Sequence, residues 1–201
     1  MLRYHPGVAL VIVDVQNDFA DPAGSLPVRG APEVIPAINR ELELARSNGA
    51  MVVLTQDWHP PSTPHFAKDG GPWPVHCVEG SWGAGLHPAL EVPEGTAIIR
   101  KGANGEDGYS GFTMHDPATD EDVPTMLVPL LEAAGVEEVV VVGLATDYCV
   151  KATALDAVRL RYRTTVLTDC IAAVDLADGD GARALDELAA AGVRIQSGRM
   201  R

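Results

Sequence analysis

The sequence has few of the features that mark secreted, membrane-spanning or nucleic-acid-binding proteins. Its 201 residues include three cysteines, and only 15 Lys and Arg stand against 28 Asp and Glu, for a formal net charge of -13. So few cysteines, in an odd number, do not suggest a disulfide framework. The negative charge argues against nucleic acid and anionic membranes as partners. The apolar runs are too short to cross a bilayer and follow no signal-peptide pattern, so we expect a cytoplasmic protein.

What the sequence does contain is an alternation of β-branched runs with helical patterns. The runs lie at 8–14, 50–57, 96–102, 138–143, 164–169 and 193–196, and the helical patterns at 31–49, 123–135, 146–162 and 179–192. Nearly continuous apolar runs are typical of strands that are buried on both faces. Strand–helix alternation indicates right-handed crossovers and a parallel sheet with helices on both sides. We therefore predict an α/β fold in one domain over residues 1–201.

Residues 57–95 interrupt the alternation. They are rich in Pro, Gly, His and Trp and show little periodicity, and a loop of this length in a compact domain is usually functional. Ligands of open parallel sheets bind outside the carboxyl ends of the strands. Asp14, Asp57, Lys101 and Cys149 each follow or close one of the predicted strands. We therefore expect these four side chains to converge in space.

Cys149 lies where a buried strand turns into a helix, with Thr146 or Asp147 as the expected N-cap. Free N–H groups and the helix dipole at such a place favour an anion. We therefore expect a thiol of lowered pKa and an oxyanion-binding turn. The alternative is a small residue that packs the helix on the sheet, and Asp14 could equally be a cap or salt-bridge member. A nucleophile, a carboxylate and the ammonium of Lys101 together indicate a cysteine hydrolase site.

The long loop contains a set of potential metal ligands. Asp57, His59 and His76 offer one carboxylate and two imidazoles, a combination that binds Zn, Fe or Mn, and His65 is a further candidate. The alternative is a group of loop histidines that bond to backbone carbonyls. Cys77 adjoins His76, but neighbours in an extended segment point in opposite directions, so we interpret Cys77 as structural.

Three aromatic residues lie close in sequence to these candidates. Phe19 follows Asp14, Trp73 precedes His76, and Tyr109 follows Lys101. Ordinary core packing is the alternative for each of them. If they line one cavity together, that cavity would suit a small planar ring.

Four sets of residues carry a resemblance to a known family. They are "VDVQNDF" (13–19), "QDWHP" with "WPVHCV" (56–78), "RKG" with "YSGF" (100–112) and "GLATDYCV" (143–150). In this order, and over essentially the whole chain, they resemble the nicotinamidase branch of the isochorismatase-like cysteine hydrolases. The resemblance implies a three-layer α/β/α Rossmann-like fold with a six-stranded parallel sheet. It also implies a cis peptide bond between Leu144 and Ala145.

The resemblance assigns roles to the candidate residues. It implies a catalytic triad of Asp14, Lys101 and Cys149, with an oxyanion hole formed by the backbone N–H groups of Ala145 and Cys149. It further implies a metal site and a substrate pocket. The metal ligands would be Asp57, His59 and His76, joined in some relatives by a histidine like His65, and the pocket would contain Phe19, Trp73 and Tyr109.

The implied activity is metal-dependent hydrolysis of nicotinamide to nicotinate and ammonia in NAD salvage, through a cysteine thioester. The implied ion, Zn first with Fe or Mn as alternatives, would hold the pyridine nitrogen, and pyrazinamide should also be accepted. One alternative is another amidase of the superfamily that acts on a small carboxamide or on a carbamoyl or ureido substrate. Another is an inactive metal-binding protein. Besides the small-molecule substrate, a homodimer is the one partner that we consider.

The stretch between Lys101 and the next helix departs from the family pattern. It matches that pattern less closely than the segments around it, although "YSGF" is intact, and this difference could alter access to the pocket. Its acidic part, "DPATDEDVP" (116–124), is expected to be a solvated loop.

Overall fold

The protein is built around a parallel sheet, and the computed structural model describes residues 4–198. Its strands in chain order are β1 (Val8–Val13), β2 (Met51–Asp57), β3 (Ala97–Lys101), β4 (Thr113–Asp116), β5 (Glu121–Pro124), β6 (Glu138–Leu144), β7 (Arg163–Ala172) and β8 (Arg194–Gln196). Six of them form one sheet in the order β3-β2-β1-β6-β7-β8, in which every neighbouring pair is parallel. All six predicted strands are confirmed.

Helices cover both faces of this sheet. They are α1 (Asn17–Ala20), α2 (Ala31–Ser47), α3 (Leu127–Ala133), α4 (Lys151–Arg159) and α5 (Asp180–Ala190), with a 3₁₀ turn at Ala67–Asp69 and a π-helical turn at Thr146–Val150. Apolar side chains of α1 and α2 belong to one buried cluster, and those of α3, α4 and α5 belong to a second. The predicted three-layer α/β/α arrangement is therefore confirmed. None of the helices within residues 4–198 has the length and apolar character needed to span a bilayer.

The central strand β1 shows why the sequence forms a sheet covered on both faces. Leu10 and Ile12 belong to the cluster on the α2 side, whereas Val11 and Val13 belong to the cluster on the opposite side. Every residue of β1 is buried. Successive side chains of a strand point to opposite faces, so a continuous apolar run supplies both cores at once.

The junction of β1 and β6 brings their carboxyl ends close together. Gly143 in β6 has φ +110°, and a Cβ at this position would lie 2.1 Å from the carbonyl oxygen of Val13. Only glycine permits this close approach of the two backbones. The peptide bond between Leu144 and Ala145, directly after Gly143, is cis, as the family resemblance implies. Asp14 leaves β1 with φ +48°, in the left-handed region that few non-glycine residues adopt.

One expectation about the fold is wrong. The acidic segment 116–124 is not a loop throughout, because β4 and β5 pair as an antiparallel hairpin, with Asp116 opposite Glu121 and His115 opposite Asp122. The hairpin was missed because neither strand buries an apolar face, so no alternation marks it in the sequence. Since β5 extends to position 124, α3 begins four residues later than the start of the predicted helix.

Candidate active site

The structure brings together the three residues assigned to the triad. Lys101 Nζ lies 2.7 Å from Asp14 Oδ2, 3.5 Å from Cys149 Sγ and 3.1 Å from the carbonyl oxygen of Tyr109. All three triad side chains are buried. They come from the end of β1, the end of β3 and the π-helical turn after β6, so the shared edge of the sheet creates the cluster.

A fourth residue, missed at the sequence level, holds the Asp14 carboxylate. The Thr55 hydroxyl on β2 donates a 2.5 Å hydrogen bond to Asp14 Oδ1 and accepts a 3.2 Å bond from the Asp14 N–H. Both residues are fully buried. Thr55 stands as a polar residue in an otherwise apolar run two positions before Asp57, and this is the only sequence signal of its role.

Burial and mutual contact shift the pKa values of all three triad residues, because Lys101 lies between two carboxyl groups and a thiol. Burial raises the pKa of Asp14, and the charge of Lys101 only partly offsets this rise. Burial would lower the pKa of Lys101, but Asp14 and Asp57 raise it well above its usual range. Burial, reinforced by the two carboxylates, raises the pKa of Cys149 well above that of a free thiol. The expected lowered pKa is therefore wrong, because removal from water outweighs the helix terminus and Lys101.

The expected N-cap of the turn that carries the thiol is also wrong. Ala145 occupies the N-cap position, and no side chain caps it. The carboxylate of Asp147 instead accepts 2.9 Å hydrogen bonds from the N–H groups of Val174 and Asp175. Asp147 therefore fixes the segment after β7 against this turn rather than satisfying the turn's own N–H groups.

Three histidines of the long loop gather beside the triad. His59, His65 and His76 each offer a nitrogen within 4.8 Å of the others. Asp57 Oδ2 lies 3.8 Å from His59 Nε2 and 3.9 Å from His76 Nε2. His76 Nδ1 lies 2.7 Å from the carbonyl oxygen of Pro74, which leaves its Nε2 for another partner. His65, named from the sequence as a further candidate ligand, is thus part of the same cluster.

The donor set fits a divalent metal ion. Both ring nitrogens of His59 are buried and have no hydrogen-bond partner within residues 4–198. Buried polar atoms are normally satisfied, so an unpartnered imidazole between two others and a carboxylate indicates an absent partner. Burial lowers the pKa of His76, which favours the neutral ring that binds metal. Carboxylate and imidazole together suit Zn, Fe or Mn.

Asp57 connects the two clusters. Its Oδ1 lies 2.8 Å from Lys101 Nζ, while its Oδ2 faces the histidines. Burial alone would raise the pKa of Asp57, but the charge of Lys101, with a smaller effect of His59, holds it well below its usual range. Asp57 is therefore an anion shared by the triad and the histidine cluster.

Polar residues that follow β1 hold the long loop in place. The Gln16 side chain donates a 2.7 Å bond to the carbonyl of Asp57 and accepts a 2.8 Å bond from its N–H. Asp18 accepts bonds from the N–H groups of Cys77 (2.7 Å) and Ser25 (3.0 Å). The sequence signal for this role is a polar run directly after a buried strand.

A pocket opens next to Cys149 and contains the three aromatic residues singled out in the sequence. Its empty volume, including the mouth, is about 410 Å³. Trp73 Nε1 donates a 3.0 Å hydrogen bond to the Tyr109 hydroxyl, and the ring of Tyr148 lies 5.0 Å from Trp73 and 5.3 Å from Tyr109. The lining residues are Phe19, Leu26, Val28, Asp57, His65, Trp73, His76, Tyr109, Leu144, Ala145, Tyr148, Cys149 and Val174.

Known proteins share this sequence and this architecture. The Isochorismatase domain family matches residues 8–199. A nicotinamidase/pyrazinamidase of Mycobacterium tuberculosis is 44% identical over 190 residues, which cover 93% of this chain and 97% of that protein.

Solved structures agree with that comparison. The pyrazinamidase of Pyrococcus horikoshii in complex with zinc is 36% identical, with a TM-score of 0.86 over 96% of this chain and 100% of that chain. PnC1 from L. infantum in complex with nicotinate is 38% identical, with a TM-score of 0.87 over 98% of this chain and 96% of that chain. The chain therefore belongs to the isochorismatase family, in its nicotinamidase branch.

Proposed function

We propose that the protein is a metal-dependent nicotinamidase, which hydrolyses nicotinamide to nicotinate and ammonia in NAD salvage and also accepts pyrazinamide. Membership of the nicotinamidase branch makes the chain an amidohydrolase. The observation that carries the proposal is the position of Lys101 Nζ between Asp14 and Cys149, at a pocket that His65 and His76 also line. A cytoplasmic location and a homodimer stay predictions.

In the first half of the proposed reaction, the Asp14 carboxylate takes the proton of the Cys149 thiol. One carboxylate oxygen of Asp14 lies within 4.8 Å of Cys149 Sγ, and the raised pKa of Asp14 suits a general base. The thiolate attacks the carboxamide carbon, and Lys101 stabilises the negative charge on sulfur. Asp14 then gives the proton to the leaving ammonia, so that a thioester remains on Cys149.

In the second half, water attacks the thioester carbonyl, and Asp14 accepts a proton from that water. The carbon–sulfur bond breaks, the thiol is restored by the proton from Asp14, and the carboxylic acid leaves. We assign the oxyanion of both tetrahedral intermediates to the backbone N–H groups of Ala145 and Cys149. Each such donor can contribute roughly 3–4 kcal/mol to the stability of the transition state. This assignment is supported by the position of both residues in the pocket wall.

We assign Asp57, His59, His65 and His76 as the residues that hold the metal ion. When bound, the ion would supply a Lewis acid for the ring nitrogen of the substrate, directly or through its water. Zn is the first expectation, with Fe or Mn as alternatives, because the donor set suits all three. Phe19, Trp73 and Tyr109 would enclose the ring and align its carboxamide with the thiol.

The test is ammonia release from nicotinamide by the zinc-loaded protein, before and after removal of the metal, with Cys149→Ala and Cys170→Ala as paired variants. We expect release by the wild-type protein and by Cys170→Ala, because Cys170 is a buried cysteine outside the pocket. Metal removal and Cys149→Ala should each abolish it. Near-normal turnover by Cys149→Ala would overturn the thioester mechanism. Zinc-loaded protein that hydrolyses another small amide but not nicotinamide would overturn the substrate assignment.

A further inference from the structure

The β4–β5 hairpin has no place in the main sheet, yet it holds one residue next to the histidine cluster. Asp107 pairs with His115 of β4 through two backbone hydrogen bonds, one of 2.7 Å donated by the Asp107 N–H and one of 2.5 Å donated by the His115 N–H. The two residues form an isolated antiparallel bridge. The hairpin therefore fixes the backbone of Asp107, although the rest of the segment after Lys101 has little regular structure.

The carboxylate of Asp107 reaches from the solvent edge into the buried histidine cluster. Asp107 Oδ1 lies 2.6 Å from His65 Nδ1, and the His65 side chain is 4% exposed whereas that of Asp107 is 43% exposed. The N–H of Gly108 donates a 2.7 Å bond to the same oxygen. This short contact and the backbone bridge determine where the carboxylate lies relative to the imidazole.

The three histidines differ in what supports them. His76 Nδ1 is next to the carbonyl oxygen of Pro74. Within residues 4–198, neither nitrogen of His59 and not Nδ1 of His65 has a partner with hydrogen-bond geometry, but His65 Nδ1 has a carboxylate oxygen of Asp107 at 2.6 Å. Only His65 faces a carboxylate other than Asp57, by the described ion-pair contacts. A carboxylate beside the second ring nitrogen of a ligating histidine fixes its tautomer and raises its basicity.

We propose that Asp107 is a positioning residue, which keeps the proton of His65 on Nδ1 and directs His65 Nε2 to a divalent cation. The β4–β5 hairpin is the frame that holds Asp107 in place. The inference rests on the proposed function only to the extent that the histidine cluster binds a metal ion. It gives the hairpin, which lies outside the main sheet, a role at the histidine cluster.

The test is the dissociation constant of zinc, measured by competition with a chromophoric chelator, for the wild-type protein and for Asp107→Ala, Asp107→Asn and Asp122→Asn. Asp107→Ala should weaken zinc binding about 10–100-fold, the usual cost of losing such a partner. Asp107→Asn should lose less zinc affinity than Asp107→Ala, because the amide oxygen can still accept a hydrogen bond from His65 Nδ1. Asp122→Asn removes one charge from an exposed position of the same hairpin and should leave the constant unchanged.

A double-mutant cycle shows whether Asp107 acts through His65. In a His65→Ala background, Asp107→Ala should cause no further loss of zinc affinity. The inference is overturned if Asp107→Ala binds zinc like the wild-type protein, or if its effect persists without His65. If the wild-type protein binds zinc and releases ammonia from nicotinamide in either of these cases, the proposed function still stands. If the wild-type protein binds no zinc, both proposals fail.

Discussion

The triad and the histidine cluster are neighbours, but they are held in place by different means. Asp14, Lys101 and Cys149 follow or close strands of the parallel sheet, so the backbone ladder and both cores position them. The histidines lie on a loop with a single 3₁₀ turn, at Ala67–Asp69, held by side chains such as Gln16 and Asp18. Changes at the triad should therefore affect the stability of the fold, whereas changes at the loop should mainly affect metal binding.

The largest effect is expected for Lys101→Met. This change removes the cation that lies 2.7 Å from Asp14 and 2.8 Å from Asp57, and so leaves two buried carboxylates without the ammonium that balances their charge. Breaking a buried ion pair from one side costs about 3–5 kcal/mol, and urea unfolding should show a loss of that size. The comparison variant is His65→Ala, which should lose much less stability. Equal losses for the two variants would contradict the distinction between the two regions.

A smaller effect on stability, with a clear effect on metal binding, is expected for Asp18→Ala. The N–H groups of Cys77 and Ser25 both lose their acceptor, and a buried donor left unsatisfied costs about 1–3 kcal/mol. The loop next to His76 should loosen, so zinc affinity should fall more than the alkylation rate of Cys149 changes. Asp18→Asn keeps one acceptor oxygen, so its zinc affinity should lie between those of the wild-type protein and Asp18→Ala. Unchanged zinc affinity in Asp18→Ala would show that other contacts hold the loop.

Within the triad region, Thr55→Val should lower kcat about tenfold and leave KM nearly unchanged. Valine has the shape of threonine but cannot donate to Asp14 Oδ1, and hydrogen bonds to charged groups contribute roughly 1.5–3 kcal/mol. The Thr55 bond lowers the pKa of Asp14, so its loss raises that pKa and moves the acidic limb of the kcat/KM profile to higher pH. Thr55→Ser should restore both. If the pH profile of kcat/KM is unchanged in Thr55→Val, the hydrogen bond from Thr55 does not affect the function of Asp14 in the reaction.

Most of the sheet could be predicted because both of its faces are buried. The central strands β1 and β6 carry continuous or near-continuous apolar runs. The hairpin has no such signal because its strands bury no apolar face. The convergence of Asp14, Asp57, Lys101 and Cys149 also follows from strand order alone, since parallel strands deliver their carboxyl ends to one edge.

The partners of the site residues could not be predicted in the same way. Thr55, Asp18 and Asp107 contact residues that lie 41, 59 and 42 positions away in sequence, and no local pattern encodes such pairs. The thiol pKa was predicted with the wrong sign because local rules see the helix terminus but not the depth of burial. The reactive residues of the site can be predicted from the ends of the strands, whereas the residues that hold them in place depend on tertiary contacts.

The smallest effect is expected at the pocket wall, which is formed by residues of both the triad region and the long loop. Tyr109→Phe removes the acceptor of the Trp73 indole N–H, and a neutral hydrogen bond contributes about 0.5–1.5 kcal/mol. Trp73 should become less well ordered, so KM for nicotinamide should rise a few-fold while kcat and zinc affinity stay the same. Tyr148→Phe is the matched control, because it removes a hydroxyl from the same wall and leaves the Trp73–Tyr109 bond intact. An equal rise in both variants would mean that general polarity of the wall, rather than this bond, sets substrate affinity.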